Sequence, residues 1–284
     1  MDHPSTERTP PVVDAHAHVF RKDLPTTADA WTRLEYDFTG DDYLAELDRH
    51  GVQHGVISAL SITGTYHDYT IEQVRGRPRL RATLIADPQA DLPSLTRMRD
   101  AGIVGMRLQL TRRATPLDLR TDDMRALFRR MRDLDWHVQV AIEGPLLPPV
   151  LDALDEAGVK VVLDHFGHPD PAKGAACDGF VAMLKAIERG RTWVKLSAGF
   201  RLLGTESWRS GGDLSEANAF ARELAGVLLA RVGPDRLLWG SDCPFVGYET
   251  RVTYPAVLDA FYDWVPSPSD RRAMSDAALK LYFS

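Results

Sequence analysis

Eight short segments of the chain are almost continuously apolar and rich in β-branched residues. They lack the strict alternation of half-exposed strands, and this pattern is typical of parallel strands that are covered on both faces. We therefore predict eight buried parallel strands. They lie at residues 12–19, 54–60, 80–86, 102–110, 136–142, 159–165, 192–197 and 236–241.

Longer segments between the predicted strands carry apolar residues at helical spacing. Residues 122–135 place Met124, Leu127, Phe128 and Met131 three or four positions apart, so these side chains share one face. The same spacing predicts helices over residues 41–50, 148–157, 180–189 and 217–232. These four helices are each followed by a glycine, the usual left-handed cap. The glycines are Gly51, Gly158, Gly190 and Gly233.

The alternation of strands and helices predicts an α/β protein that is a single (β/α)8 TIM barrel. We assign the barrel to residues 12–284 and interpret the polar, proline-rich residues 1–11 as a flexible leader. A doubly wound open sheet is the alternative, but it normally carries a glycine-rich phosphate loop after its first strand. The first predicted strand here runs into HAHVF instead. Residues 200–218 are predicted to form a long loop that could cover a site.

The composition of the chain excludes some classes of binding partner. The 284 residues carry 34 basic and 40 acidic side chains, a net charge of −6, which argues against nucleic-acid binding because that needs a surplus of Lys and Arg. Only 6 of the basic residues are lysine. Two cysteines make no disulfide framework, and the sequence has neither a signal-peptide pattern nor an apolar run of about 18 residues. We therefore expect a cytoplasmic protein without a membrane anchor.

Polar residues stand at the ends of three predicted strands. His16 and His18 are two positions apart in the first strand, so both imidazoles point to one side. His165 ends the sixth strand, and Asp242 follows the eighth. Because strand ends meet at the catalytic face of a barrel, we expect these four side chains to converge. Imidazole and carboxylate groups suit one Zn²⁺ or Mn²⁺ ion, or acid–base chemistry.

Six motifs between residues 12 and 245 together resemble the amidohydrolase superfamily. The closer resemblance is to its branch of metal-dependent hydrolases that includes the 2-pyrone-4,6-dicarboxylate lactonases and sugar-acid lactonases. The motifs are VVDAHAHVF, GMRLQL, HVQV, VVLDHFGHP, WVKLSAGF and RLLWGSDCPF. The resemblance implies a (β/α)8 barrel and hydrolysis of the C–O bond of a lactone, and it implies that Asp242 is the base that activates water.

The resemblance leaves two versions of the catalytic site open. In the superfamily at large, His16, His18, His165 and Asp242 would be positions for one divalent metal, zinc or manganese. The pyrone dicarboxylate lactonases are thought to work without bound metal; no cofactor is then strictly required, and the histidines polarise the carbonyl directly. A binuclear site is not predicted, because Lys195 lies on the seventh strand, out of place for the usual bridging lysine.

Three arginines near predicted strand ends are candidates for binding substrate carboxylates. Arg107 lies within the otherwise apolar fourth strand, Arg112 in the loop after it, and Arg201 just after the seventh strand. Burial of an unpaired guanidinium is unfavourable, so Arg107 should have a carboxylate partner in the protein or on the ligand. We interpret Arg113 as a solvated surface residue.

Three further residues complete the predicted substrate site. Gln139 lies on the fifth strand and Tyr66 in the loop after the second, where either could bond a substrate. His168 stands where the pyrone dicarboxylate lactonases have arginine, and a titratable imidazole is a weaker donor for a carboxylate. This departure leaves other acidic lactones open as substrates. His54 and His137 begin strands, so we interpret them as structural.

The sequence therefore predicts a hydrolase that opens the lactone ring of a small carboxylated substrate, similar to 2-pyrone-4,6-dicarboxylate, by water activated on Asp242. Two other enzymes remain open: a zinc-dependent non-oxidative decarboxylase of an aromatic or muconate-like acid, and a sugar-acid lactonase or isomerase. A barrel that only binds its ligand is the alternative outside enzymes. We expect a small anionic lactone or carboxylate as the partner, neither nucleic acid nor membrane, and we leave a homo-oligomer open.

Overall fold

The computed structural model describes residues 8–112, 116–203 and 213–284. Eight strands form one parallel sheet whose strand order follows the sequence. Each strand lies inside the segment that predicts it, so the eight predicted strands are confirmed. They are β1 (Val13–Ala17), β2 (His54–Ile57), β3 (Leu80–Leu84), β4 (Ile103–Gln109), β5 (His137–Ala141), β6 (Lys160–Leu163), β7 (Thr192–Ser197) and β8 (Leu237–Gly240).

The sheet closes between its first and last strands. A parallel bridge joins Ala17, at the end of β1, to Cys243, just after β8. The His18 amide donates to the Cys243 carbonyl oxygen (2.7 Å), and the Asp242 amide donates to the His16 carbonyl oxygen (2.8 Å). The predicted single (β/α)8 barrel is confirmed, and the doubly wound sheet is excluded because the strand order has no switch point.

Helices in the described residues cover the outside of the barrel and its lower end. Five of them follow the predicted segments to within three residues, whereas the spacing did not predict α2, α3, α8 and α9. They are α1 (Gly40–Arg49), α2 (Asp68–Val74), α3 (Leu92–Asp100), α4 (Asp122–Asp133), α5 (Leu147–Ala157), α6 (Asp178–Glu188), α7 (Leu214–Val232), α8 (Tyr254–Trp264) and α9 (Pro268–Tyr282).

Side-chain caps mark the start of three helices that the apolar spacing did not predict. The Asp91 carboxylate accepts from the backbone amide of residue 94 at the start of α3. Thr253 and Ser267 cap α8 and α9 in the same way. Each cap satisfies an amide that the first turn leaves unpaired. Only Leu95 is buried in α3, so this helix has almost no apolar face for the spacing to detect.

The last helix closes the amino-terminal end of the barrel, opposite the predicted site. The Tyr282 ring of α9 meets His137 edge to face, with ring centroids 5.3 Å apart. Phe283 lies 4.5 Å from His54 by the same measure. Both histidines begin strands, and their surroundings agree with the structural role that we assigned to them.

Two of the predicted glycine caps have different backbone conformations. Gly158 ends α5 in the left-handed conformation, with φ 68° and ψ 21°, as predicted. Gly233 after α7 has φ 72° but ψ 174°, so it is not the predicted left-handed cap. The chain instead extends at once into a short turn that begins at Pro234.

Some predictions fall outside the described residues. These are residues 1–7 of the leader, Arg113, and residues 204–212 of the long loop after β7.

Arg8 pairs with Asp259 of α8 at 2.7 Å. Cys177 and Cys243 are both buried and free. Within the described ranges, no helix is both long enough and apolar enough to cross a membrane.

Candidate active site

Side chains from three strand ends converge at the carboxyl-terminal face of the barrel. β1 brings the Nε2 atoms of His16 and His18 to 3.3 Å from each other. The Oδ1 atom of Asp242 lies 3.6 Å from both of these nitrogens and 4.0 Å from Nε2 of His165. The structure therefore places together the four residues that the sequence predicted as the catalytic set, which we call the catalytic cluster.

The chain makes a left-handed turn directly after β6. His165, Phe166, Gly167 and His168 all have positive φ, from 46° to 74°. A left-handed conformation is unfavourable by about 1–2 kcal/mol for each L-residue, so packing must hold the turn in place. Phe166 is buried against Trp264, with ring centroids 5.3 Å apart. This anchor leaves His165 facing the cavity above the barrel.

Arg201 holds one oxygen of Asp242. Its Nε donates to Oδ2 at 2.7 Å, and its Nη2 donates to the Val246 carbonyl oxygen at 2.8 Å. The remaining nitrogen, Nη1, is buried and has no hydrogen-bond partner among the described residues. Burial raises the pKa of Asp242, but the positive charge of Arg201, the hydrogen bond from His18 and the nearby imidazoles together outweigh burial, so the pKa lies well below its ordinary value. Asp242 is therefore ionised, and Arg201 keeps a spare donor.

A second buried carboxylate, Asp164, lies behind the catalytic cluster. Arg107 donates to Oδ2 through Nε (3.1 Å) and Nη2 (3.0 Å), and Gln139 donates to Oδ1 at 2.8 Å. Nζ of Lys195 and Nδ1 of His16 lie 3.3 and 3.2 Å from the same Oδ1. Asp164 is thus the carboxylate partner that the burial of Arg107 requires.

Burial sets the protonation states around this carboxylate. It lowers the pKa of His16 to about 3 and that of His168 to about 4, and it holds the pKa of His165 well below its ordinary value. These imidazoles are uncharged at neutral pH, so each has one N–H and one lone pair. Burial also lowers the pKa of Lys195 to about 8, although Asp164 opposes the shift. Lys195 is still mainly a cation at neutral pH.

An open cavity of about 550 Å³ leads to the catalytic cluster. Its polar side includes the three predicted arginines Arg107, Arg112 and Arg201. Apolar side chains such as Trp31 and Ile62 also line the cavity. The guanidinium of Arg112 lies 4.8 Å from the centroid of the Trp31 ring, so a cation and an aromatic face meet at the mouth.

Three predicted substrate-binding residues are absent from the described lining of this cavity. Gln139 is fully buried, and its amide also donates to Oγ of Ser58 at 3.0 Å. His168 is partly buried, with its ring centroid 5.0 Å from that of His165. Tyr66 is 37% exposed on its loop. The substrate roles of these three stay predictions, and the geometry gives Gln139 a supporting place behind the cluster.

Lys195 is the main contact that sequence reasoning missed. It is fully buried, and Nζ lies 3.3 Å from Nδ1 of His16 as well as from Asp164. The signal was present, because Lys195 interrupts an apolar strand just as Arg107 does. A buried charge of this kind needs partners on the neighbouring strands.

Asp14 is a second residue that sequence reasoning did not place. Its carboxylate accepts from the Ser241 amide (2.8 Å), from the Ser241 hydroxyl (2.6 Å) and from the Tyr254 hydroxyl (3.0 Å). These bonds fasten β1 to the segment after β8. They therefore fix the two strand ends that supply His16 and Asp242.

The donor atoms of the catalytic cluster fit a divalent ion. Two overlapping groups place their ligand atoms within 4.8 Å of one another: His16, His18 and Asp242, and His16, Asp164 and His165. Nδ1 of His18 lies 2.9 Å from the Ser58 carbonyl oxygen, so Nε2 is turned toward the cluster, as in metal-binding histidines. Imidazole nitrogen with carboxylate oxygen suits zinc or manganese.

A (β/α)8 barrel with imidazoles and carboxylates at its strand ends has the architecture of an enzyme. The model of the amidohydrolase family matches residues 13–283. The chain therefore belongs to the amidohydrolase family, and the resemblance that its motifs indicated is confirmed.

Sequence alignments with named relatives cover nearly the whole chain. It is 27% identical to a 4-sulfomuconolactone hydrolase from Hydrogenophaga intermedia, over 91% of this chain and 84% of that protein. It is 26% identical to a 2-pyrone-4,6-dicarboxylate hydrolase from Comamonas testosteroni, over 95% of this chain and 90% of that protein. A solved structure of a probable 2-pyrone-4,6-dicarboxylic acid hydrolase from Acinetobacter baumannii with citric acid bound has a TM-score of 0.87 at 26% identity. The match covers 95% of this chain and 98% of that one.

Proposed function

We propose that this chain is a cytoplasmic lactone hydrolase that opens the ring ester of a small substrate carrying an acidic group. The observation that carries the proposal is the convergence of Asp242 and three imidazoles at a cavity lined by arginine. Two relatives whose names specify acidic lactones support the substrate class. The bound citric acid of the Acinetobacter baumannii structure supports a site for a small carboxylate.

Asp242 is the catalytic base in this proposal. Arg201 occupies Oδ2, so Oδ1 is the oxygen that accepts a proton from a water molecule as this water attacks the lactone carbonyl carbon. The tetrahedral intermediate then breaks its bond to the ring oxygen. Asp242 returns the proton to that oxygen, which leaves as a hydroxyl. One water is consumed, and the carbonyl carbon becomes a carboxylic acid that ionises at neutral pH.

The imidazoles stabilise the charge that develops on the carbonyl oxygen. His165 lines the cavity and is neutral at neutral pH, so it can present an N–H to the oxyanion without adding a fixed charge, whereas the equally neutral His16 is fully buried beside it. Their positions are fixed before substrate arrives, because Nδ1 of His165 lies 2.8 Å from Oγ of Ser197 and Nδ1 of His16 faces Asp164. Such preorganised donors lower the barrier more than mobile groups do.

Arginine anchors the acidic group of the substrate. Nη1 of Arg201 is the spare donor nearest the base, and Arg112 offers a second guanidinium at the cavity mouth. Arg107 also lines the cavity, but three of its hydrogen bonds go to Asp164 and to the Ala59 carbonyl oxygen. We therefore assign the first carboxylate of the substrate to Arg201.

A divalent ion, zinc or manganese, would be held by His16, His18, His165 and Asp242 and would polarise the lactone carbonyl as a Lewis acid. The donor chemistry of the cluster supports this assignment. The anion-binding role of Arg201 and the proton transfer through Asp242 do not depend on such an ion.

The proposal is tested with a panel of lactones. The panel contains 2-pyrone-4,6-dicarboxylate, a muconolactone, an uncharged lactone and a sugar-acid lactone, assayed by proton release after chelation and again with added zinc or manganese. We expect a higher kcat/KM for the acidic unsaturated lactones than for the uncharged one. Release of carbon dioxide from an aromatic acid would instead establish a decarboxylase. Absence of turnover under every condition would contradict the proposal and favour a barrel that only binds its ligand.

A further inference from the structure

Two aromatic rings lie against the guanidinium of Arg201. Its Cζ atom is 4.9 Å from the centroid of the Phe200 ring and 4.8 Å from that of the Tyr248 ring, and it lies over both rings. The rings also contact each other, with centroids 5.1 Å apart and planes inclined at 60°. The guanidinium therefore sits in a corner between two aromatic faces. We call Phe200, Arg201 and Tyr248 the arginine clamp.

The backbone holds Tyr248 firmly in this position. Its amide donates to the Phe245 carbonyl oxygen at 2.6 Å, and its own carbonyl oxygen accepts from the amides of Arg251 and Val252 at 2.8 and 2.9 Å. Tyr248 is only 2% exposed. It follows β8, whereas Arg201 follows β7, so the ring reaches the guanidinium from a neighbouring strand end. Tyr248 is therefore a fixed surface on which the arginine packs.

The arginine clamp uses the charge of Arg201 and none of its hydrogen-bond donors, because an aromatic face attracts a cation through the ring quadrupole. Nε is therefore available for Asp242, and Nη2 for the Val246 carbonyl oxygen. Nη1 has no hydrogen-bond partner among the described residues and remains for a ligand. Arg201 is 8% exposed, and such an attraction is stronger when the cation is removed from water.

We propose that Tyr248 is a positioning residue that holds the Arg201 guanidinium by a cation–π contact, so that Nη1 is oriented before the acidic group of the substrate arrives. The inference rests on the substrate role of Arg201 in the proposed function. Phe200 precedes Arg201 in the same loop, whereas Tyr248 belongs to another segment and anchors the guanidinium independently. Without this ring, the guanidinium would turn in the free protein, and binding of an anion would have to order it again.

The first experiment measures how fast the guanidinium turns. Nitrogen-15 NMR reports rotation about the Nε–Cζ bond of an arginine, and an Arg201→Gln variant identifies the Arg201 signal by its loss. We expect this rotation to be about tenfold faster or more in Tyr248→Leu than in the wild-type protein, because the cation–π contact is lost. Tyr248→Phe keeps the aromatic face and should keep the slow rotation. Equal rates in the wild-type protein and a folded Tyr248→Leu protein contradict the proposal.

The second experiment weakens the aromatic face while the size of the ring stays nearly constant. Phenylalanine and its derivatives with one, two and three ring fluorines are placed at position 248, and fluorine withdraws electron density from the negative face of the ring. We expect the rotation of Arg201 to become faster with each fluorine. Every member of the series lacks the tyrosine hydroxyl, so contacts of that group cannot produce the trend. Rotation that does not depend on fluorine overturns the proposal, and this series decides even where Tyr248→Leu does not fold.

The third experiment measures anion binding, with citrate titrated by calorimetry into chelator-treated protein. We expect Tyr248→Leu to bind citrate about twofold to tenfold more weakly, the effect of ordering one mobile side chain, and Tyr248→Phe to bind it nearly as well as the wild-type protein does. KM for an acidic lactone should rise by a similar factor, while KM for an uncharged lactone stays constant. An equal rise for both lactones indicates a merely structural role and contradicts the proposal. Citrate affinity that is unchanged in Arg201→Gln contradicts it as well.

The matched control is Tyr262→Leu. This variant removes a ring of α8 whose centroid lies 5.2 Å from Cζ of Arg271 in α9, a similar contact outside the site. It should leave the rotation of Arg201, the citrate affinity and both KM values unchanged. Failure to hydrolyse any lactone contradicts the proposed function alone, because the rotation rates and the citrate affinities test the arginine clamp without turnover.

Discussion

The two oxygens of Asp242 have different neighbours, and the difference defines how this residue can act. Oδ2 accepts from Arg201, whereas Oδ1 lies among the Nε2 atoms of His16 and His18. The positive charge of Arg201 keeps the carboxylate ionised but also makes it a weak base. A substrate carboxylate that binds Nη1 of Arg201 would offset part of this positive charge. The base is therefore strengthened when an anionic substrate is in place.

Replacement of Asp242 by asparagine should abolish most of the turnover. We expect kcat for the preferred lactone to fall about 10³-fold, because a positioned general base contributes about 10²–10⁴-fold. The measurement is steady-state hydrolysis, with circular dichroism as the test of folding. Asp259→Asn is the matched control, since Asp259 forms an exposed pair with Arg8. Nearly normal kcat in Asp242→Asn would show that another group activates the water.

Replacement of Arg201 by glutamine should move the acid limb of activity. Arg201 lowers the pKa of Asp242, and burial, which raises it, remains in the variant. The pKa of Asp242 therefore rises, and the acid limb of the kcat/KM profile shifts to higher pH. KM for an acidic lactone should rise as well. Arg120→Gln, which removes a surface pair with Glu156, is the control. An acid limb that does not move contradicts the assigned coupling.

At the scale of elements, the strands are predictable because a buried parallel strand is apolar along its whole length. A charge inside such a strand is therefore informative, as Arg107 and Lys195 both show. The helices are harder to predict. α4 has a clear apolar stripe, but α3 buries one leucine and is recognisable mainly by its Asp91 cap. Apolar spacing gives little signal for α3 because this helix buries a single leucine, whereas α8 buries five side chains at helical spacing and could have been predicted in the same way as α4.

Helix α9 closes the amino-terminal end of the barrel, and we call this closure the plug. The plug should affect the stability of the fold and not the rate of catalysis. Tyr282→Ala removes a buried ring that packs on His137, and we expect a loss of about 3–5 kcal/mol in the free energy of unfolding. Denaturant titration measures this loss. The kcat should be unchanged at temperatures where the variant is folded, because the site lies at the other end of the barrel.

Tyr282→Phe provides the control for this plug. The Tyr282 hydroxyl is buried without a hydrogen-bond partner among the described residues, so its removal should cost almost nothing or stabilise the fold. A large loss of stability in Tyr282→Phe would show that the hydroxyl has a partner. Loss of kcat in a fully folded Tyr282→Ala protein would mean that the plug reaches the site.

At the scale of the whole molecule, we expect the histidines with lowered pKa values to reduce the free energy of unfolding in acid. Burial lowers the pKa of His16 and His137 to about 3 and that of His168 to about 4. In the unfolded chain these groups take up protons near their ordinary pKa of 6.5, so the unfolded state binds more protons between these values. The free energy of unfolding therefore falls as pH drops from 6.5 toward 4, by up to about 1.4 kcal/mol per pH unit for each group.

Asp164 and Asp242 add to this trend at lower pH. Their folded pKa values are depressed, so the stability that they contribute is present above their ordinary value of 3.8 and is lost below it. Denaturant titrations at a series of pH values measure the whole curve. A free energy of unfolding that stays constant from pH 6.5 to pH 4 would mean that the buried imidazoles are solvated or paired when charged.

The contacts around Asp164 mark the limit of what the sequence could predict about the site. The strand ends showed that His16, His18, His165 and Asp242 would gather, because all parallel strands end at one face. They did not show that Lys195 would reach His16. That contact depends on how far each strand is staggered around the closed barrel, which is a property of the whole sheet.

The hydrogen bonds between Asp14 and Ser241 affect when the barrel can close as the chain is synthesised. These residues are 227 positions apart, and they join the first strand to be synthesised to the last. A nascent chain can pair its early strands with their neighbours while β8 is still inside the ribosome, but the edge of β1 stays open until the end. Contacts of such long sequence separation form late. The catalytic cluster is therefore completed only after the chain has been translated nearly to its last helix. We expect shorter fragments, which end before Asp242, to be inactive.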